Sequence, residues 1–245
     1  QIPDILPVEI RKKYDLFDIG YAMNQVHFPE KLEKANASRR RFAFEELFIL
    51  QLFMGIERLK LAKKNAYIIK FNEESVRKFT QNLPFKLTDD QKKAAWQIIQ
   101  DLIKNKPMNR LLQGDVGSGK TIVAVIAAYL AVLNGYQVAF MAPTEILSRQ
   151  HFEKILPLLN NIKIKSSLLT SSEARISDEK TTKKELIKKI AEGKIPVIIG
   201  THSLIQKNIK FKNLALVIID EQHRFGVNQR ASLLEYKKDL TVPHL

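Results

Sequence analysis

The chain contains no cysteine, so disulfides and thiolate zinc sites are excluded, and the composition fits a reducing compartment. It has no apolar run approaching the roughly 20 residues that span a bilayer. Its opening residues lack the charged-then-apolar pattern of a signal peptide. No internal repeat or low-complexity tract occurs. The 45% of hydrophobic residues among 245 is enough for a sizeable core and argues against disorder. Acidic residues are comparatively scarce: 40 Lys and Arg against 26 Asp and Glu leave a net charge of +14. Such a balance suits a polyanionic partner, nucleic acid before membrane, although it also serves solubility. The chain opens on Gln1 rather than Met and closes on the apolar TVPHL, which predicts a piece of a longer protein.

Three zones follow one another. Residues 1–38 hold short pieces, with a small helix expected near Glu9–Tyr14 and Pro29 as punctuation. Between residues 39 and 65 there is no proline and one glycine, Gly55. Phe44, Leu47, Phe48, Leu52, Ile56 and Leu59 fall at helical spacing, while Ile49, Leu50, Phe53 and Met54 fill other faces. A helix apolar nearly all round is expected to be buried between other elements. Its basic ends, Arg39–Arg41 and Lys60–Lys64, could reach phosphates or simply be solvated. From about residue 84 the pattern alternates. Helices are expected over 88–105, 121–134, 144–158 and 178–191, and strands over 110–114, 137–143, 162–169, 195–200 and 214–220. Strands that are almost continuously apolar, alternating with helices, predict a mostly parallel sheet covered on both faces. The resulting expectation is a helical linker region (1–80) followed by an α/β domain (81–245).

GDVGSGKT, residues 114–121, matches G-x-x-x-x-G-K-[ST] between an apolar stretch and an apolar helix. Gly114, Gly117 and Gly119 permit positive φ and close backbone approach. The loop N–H groups, Ser118 included, and the helix N-terminus face an anion. Lys120 can reach β- and γ-phosphates, and the Thr121 hydroxyl can hold Mg²⁺. Upstream, Thr88-Asp89-Asp90-Gln91 forms a capping box, yet Gln91 could also read an adenine edge. The apolar run LALVIID ends in Asp220 and Glu221. Ligands of open α/β sheets sit at the carboxyl ends of strands, so both acids can converge on the nucleotide, although two solvated acids could also simply cap a strand. Asp220 would hold Mg²⁺ and Glu221 would orient or deprotonate the attacking water.

These segments resemble a known family. GDVGSGKT, MAPTEIL (141–147), GTHSLIQ (200–206) and DEQHRFGV (220–227) come in the order of superfamily 2 helicase motifs I, Ia, Ib and II, and LPFKLTDDQ (83–91) resembles the Q motif. Within that superfamily the resemblance is to the RecG family of bacterial branch-migration helicases. Transcription-repair coupling factors are the alternative; Ser118 and Gln222 favour the former. AMNQVHFPEK and RRRFAFEELF resemble the segment between that family's DNA-binding wedge and its motor. The resemblance implies a RecA-like P-loop domain that uses ATP and Mg²⁺, in a bacterial cytoplasmic enzyme of DNA repair and recombination. Gln222 and His223 would relay the nucleotide state. Pro143, Thr144, Glu145, Thr201, His202 and, more weakly, Arg149 would line the path of branched double-stranded DNA through phosphate contacts. Thr144 equally suits a helix cap and Thr201 a strand end. Ser171 stands where the family has glycine in LLTG, which puts a backbone contact there in question. In the family a second motor domain supplies an arginine to the reaction, so the chain by itself is expected to bind without robust turnover. A P-loop metabolic kinase would need a small-molecule acceptor site; the DEQHRFG segment and the basic charge argue against it.

Overall fold

The structure is a computed structural model that describes residues 3–205, 209–221 and 241–245. It divides into two compact units, Gln1–Leu61 and Ala62–Leu245.

The first unit holds α1 (Val8–Tyr14), α2 (Ile19–His27) and most of α3 (Leu32–Ala62). Asp18 caps α2 by accepting from Tyr21 N (3.0 Å). At 31 residues α3 is about 46 Å long, far longer than either partner. The expectation that it is buried on all sides does not hold. Its buried residues are Ala35, Ser38 and Arg41, whereas Leu47, Phe53 and Leu59 are more than half exposed. Aromatic contact from α1, Tyr14 on Phe44 at 5.0 Å, reaches only its middle. Arg41 is also no phosphate ligand, because its side chain is fully buried. Its Nε donates to Phe17 O (2.9 Å) and its guanidinium pairs with Asp4 and Glu45. Burial would push the Asp4 carboxyl up. The backbone N–H groups of Leu6 and Ile19, with the charges of Arg41 and Arg11, hold it below the usual carboxylate range instead.

In the second unit, β1 (Asn65–Ala66) pairs in parallel with β8 (Thr241–Val242). After α4 (Glu73–Gln81) and α5 (Asp89–Leu102) come α6 (Lys120–Leu133), β2 (Gln137–Met141), α7 (Glu145–Asn160) and β3 (Ser166–Leu169). A hairpin of β4 (Ala174–Ile176) and β5 (Glu179–Lys180), then α8 (Lys183–Ala191), β6 (Val197–Gly200) and β7 (Leu214–Ile219) complete it. The main sheet has the order β5-β4-β3-β6-β2-β7, with β3, β6, β2 and β7 parallel. Side chains alternate across it. Val138, Phe140, Val197, Ile199 and Leu216 join a core with α5, α6 and α7. Ala139, Met141, Ile198 and Val217 join Leu186 and Ile190 of α8 in a second. Continuous apolarity in these strands therefore reflects two covered faces. Gly200 is required by close packing: a Cβ there would lie 2.2 Å from Leu169 O. Among the described residues no helix is long and apolar enough to cross a membrane.

Three expectations shift. Residues 62–80, placed with the linker, belong to the compactness of the α/β unit. Ile69 and Phe79 lie in its core, and Asn134 holds Lys70 by two hydrogen bonds, from Lys70 N (2.9 Å) and to Lys70 O (3.0 Å). Residues 110–114 form no strand. Two bonds to Leu245, from Arg110 N (3.0 Å) and to Met108 O (2.9 Å), are too few for a ladder. The antiparallel β4–β5 hairpin was not expected, because such short strands carry no readable alternation.

His244 locks the β1–β8 end of this unit. Its Nδ1 accepts from Met108 N (3.2 Å) and its Nε2 donates to Tyr67 O (2.7 Å), a combination that needs the neutral ring. Burial pushes the His244 pKa down, against the opposing pull of Tyr67 O and Asp101. A base whose folded pKa lies below the unfolded value of 6.5 contributes fully above that pH and loses its contribution as the pH falls through the folded value. The stability gap between wild type and His244→Gln, followed by thermal denaturation, should therefore be widest at neutral pH and shrink in acid. A gap constant with pH would contradict the lock.

Candidate nucleotide site

The loop between residue 114 and α6 is held from two sides. Gly117 and Gly119 have φ of 83° and 80°, and Gly119 is the N-cap of α6. Its φ of 80° requires glycine, and a Cβ there, 2.3 Å from Gln91 Nε2, would also displace that amide. Gln91 completes the capping box of α5: Thr88 Oγ1 accepts from Gln91 N (3.2 Å) and Gln91 Oε1 accepts from Thr88 N (3.0 Å). Its Nε2 donates to Ser118 O (2.8 Å), which ties the cap of α5 to the phosphate-type loop. Lys120 opens α6 and holds its ammonium across the loop, donating to Gly114 O (2.8 Å) and Asp115 O (2.7 Å). Thr121 follows within the first turn, where the helix dipole favours an anion.

Asp220 ends β7. Its N–H donates to Met141 O (2.8 Å), so the register with β2 continues through it. By strand parity it shares the side of Leu216 and Ile218, the face packed by α6 and α7. The next residue, Glu221, takes φ of 55°, in the left-handed region that costs a non-glycine residue free energy and recurs at functional sites. Asp220 Oδ2 lies 2.7 Å from His151 Nε2 on α7. That imidazole holds the carboxyl below its usual range despite burial, and the Lys120 charge acts in the same direction. Lys120 and Asp220, 100 residues apart in sequence, are thus within electrostatic reach of each other. A threonine hydroxyl and one carboxylate are too few for an all-protein cation cage. They fit Mg²⁺, which keeps waters and shares phosphate oxygens. The glycine cradle and the lysine fit a triphosphate.

The expected DNA-path residues divide. Thr144 caps α7, accepting from Leu147 N (3.2 Å). Glu145 accepts from Ser171 N (3.0 Å) and from the Ser172 hydroxyl, whose hydrogen bond foremost holds its carboxyl below the usual range. Lys183 Nζ donates to Ser171 O. The turn carrying Ser171 is therefore clamped through its backbone by α7 and α8, an arrangement that serine permits as well as glycine. Thr170 is buried and its Oγ1 accepts from Glu173 N (3.0 Å). Arg149 pairs with Glu173 (2.8 Å), which offsets its charge. Thr201 is also buried, its hydroxyl 2.8 Å from Ser203 Oγ, so it does not present that hydroxyl at the surface. Pro143, half-buried, directly precedes the Thr144 cap. The side chain of His202, and Gln222 and His223 altogether, lie outside the described residues. His151, Ser172 and Lys183 were not anticipated; they meet their partners 69, 27 and 12 residues away, beyond any local pattern.

The model of the DEAD/DEAH box helicase family matches residues 88–244. The ATP-dependent DNA helicase RecG of Synechocystis sp. is 46% identical over 236 residues, 96% of this chain and 28% of that protein. RecG of Aquifex aeolicus is 42% identical over 99% of this chain and 31% of its own length. The chain thus spans less than a third of these two relatives. Among solved structures, RecG bound to a three-way DNA junction superposes with a TM-score of 0.81 at 36% identity, covering 100% of this chain and 36% of that one. The family match over residues 88–244, joined to similarity with RecG helicases along nearly the whole chain, shows that this chain belongs to the DEAD/DEAH box helicases.

Proposed function

We propose that the chain is the nucleotide-gripping half of a RecG-type ATP-dependent DNA helicase that remodels branched double-stranded DNA in the bacterial cytoplasm. The observation that carries this reading is the glycine loop itself, with Gly117 and Gly119 at positive φ and Lys120 opening α6 behind them, while Asp220 stands just past β7 within reach of the Lys120 charge. In this reading the N–H groups of Gly117, Ser118 and Gly119 and the Lys120 ammonium bind the phosphates, with Gln91 bracing the loop beside the base. Thr121 and Asp220 would hold Mg²⁺, which when bound offsets the charge that develops on the transferred phosphoryl group. Glu221 orients the attacking water. Gln222 and His223 relay the nucleotide state. The α7 N-terminus, with Pro143, Thr144 and the clamped Ser171 turn, carries the phosphate contacts of the DNA path. Thr201, His202 and Arg149 support it, Thr201 through the turn it starts rather than by its own hydroxyl. The net charge of +14 suits that polyanion.

The test is ATP hydrolysis by the full-length protein, with and without branched DNA. Hydrolysis should rise with forked DNA more than with blunt duplex. Glu221→Gln should lower the rate by roughly 10²- to 10⁴-fold, the usual contribution of a positioned acid or base, while nucleotide affinity stays close to wild type. Turnover indifferent to DNA, or undiminished in the variant, would contradict the proposal.

A further inference from the structure

His151 has no part in the chemistry described so far, yet its position is unusual. The side chain is largely buried in the first half of α7, its ring 4.8 Å from that of Phe140. Its Nδ1 is buried with no hydrogen-bond partner among the described residues. A proton on Nδ1 would be stranded there, so the ring proton belongs on Nε2, where Asp220 Oδ2 accepts it at 2.7 Å. A histidine wanted only for packing would be better replaced by an apolar side chain than left with an unmatched nitrogen. The hydrogen bond to Asp220 is what its polarity accomplishes.

Apart from His151, the carboxylate it touches accepts from the backbone N–H of the adjacent Glu221. The backbone of Asp220 is held by Met141 O, but its side chain sits at the end of a strand with more than a third of its surface exposed. An aspartate held there only by its neighbour's backbone N–H would sample more than one rotamer. A side-chain donor from another element restricts it further, while the exposed part of the carboxylate keeps lone pairs for a cation. Carboxylates that ligate metals are themselves hydrogen-bonded by outer groups, whose loss typically weakens metal affinity.

We propose that His151 is a positioning residue for the metal-binding carboxylate, holding Asp220 in its ligating rotamer from α7. This rests on the reading of Asp220 as the Mg²⁺ residue given above. One helix then carries both this prop and the Thr144–Glu145 end assigned to the DNA path, so the acid is tied to the element of α7 that DNA would engage.

The test uses Mn²⁺ as a spectroscopic substitute, with its binding to the protein saturated with a non-hydrolysable ATP analogue followed by electron paramagnetic resonance. His151→Gln places an amide N–H near the position of Nε2, whereas the shorter His151→Asn stays polar but cannot reach Asp220. We expect His151→Asn to weaken Mn²⁺ binding roughly 10- to 100-fold, the usual cost of losing an outer-shell partner. Metal-free analogue affinity and melting temperature should stay close to wild type, and His151→Gln should recover most of the metal affinity. Wild-type Mn²⁺ affinity in His151→Asn would overturn the proposal. Equal weakening in both variants would reduce His151 to packing and also overturn it. Asp220→Asn separates the two levels. If Asp220→Asn leaves Mn²⁺ affinity intact, the metal reading fails and the proposal falls with it. If it abolishes binding while His151→Asn does nothing, only the proposal fails.

Discussion

Replacement of Lys120 by alanine is expected to weaken binding of a triphosphate nucleotide by roughly 10- to 100-fold while leaving the fold intact. A hydrogen bond to a charged group contributes about 1.5–3 kcal/mol, and each 1.4 kcal/mol is tenfold in affinity. The Lys120 ammonium makes two bonds to loop carbonyls, and both are available to be exchanged for phosphate oxygens. The fold should tolerate the change because the loop has other supports. Ser118 N donates to Asp115 O (3.2 Å), and Gln91 Nε2 holds Ser118 O. Alanine is also a good first residue for a helix. Titration with a fluorescent ATP analogue, alongside circular dichroism, measures both halves of the expectation. Unchanged affinity would remove this loop from the nucleotide site.

The second large effect concerns stability, in the helical unit. Arg41→Ala should cost roughly 3–5 kcal/mol, because it strands two carboxylates that a buried guanidinium now satisfies. Asp4 and Glu45 are each mostly buried, and Arg41 is completely so. Asp4 also gathers the N–H groups of Leu6 (3.0 Å) and Ile19 (2.9 Å), so it joins the N-terminal segment to the start of α2. Removing the arginine leaves Arg11, 3.4 Å from Asp4, as the remaining cation paired with that acid among the described residues. Against a typical total of about 5–15 kcal/mol, the loss is large enough to unfold much of the unit. Arg41→Met, which restores volume without charge, should recover little. Urea denaturation measures it; a loss below about 1 kcal/mol for Arg41→Ala would show that the acids find water instead.

Much of the α/β unit was legible in advance because its signals are local. LALVIID, IPVIIG and QVAFMAP read as doubly covered strands since consecutive side chains in a strand point to opposite faces, and both faces are in fact cored. GDVGSGKT was legible because positive φ and close approach demand glycine at specific positions, as Gly119 shows against Gln91. The Thr88–Gln91 box was legible because its hydrogen bonds span three residues. The errors arose where the decisive partner was distant. Apolar residues around α3 predicted burial, but periodicity describes a helix and not what covers it. The boundary placed at residue 80 missed Ile69 and Phe79, whose neighbours lie on α5 and α6.

The sequence by itself determined the glycine-loop motif, the acidic end of LALVIID and the resemblance of these runs to helicase motifs, because each motif is a run of adjacent residues. Only the tertiary structure decided that Thr201 is buried, that Glu145 clamps the Ser171 turn, that Arg41 is an internal counterion and that His151 meets Asp220. Those outcomes depend on which elements the parallel sheet sets side by side. A 2.7 Å contact across 69 residues follows from the packing of α7 on the face of the parallel sheet that Asp220 shares, and from no pattern in either segment.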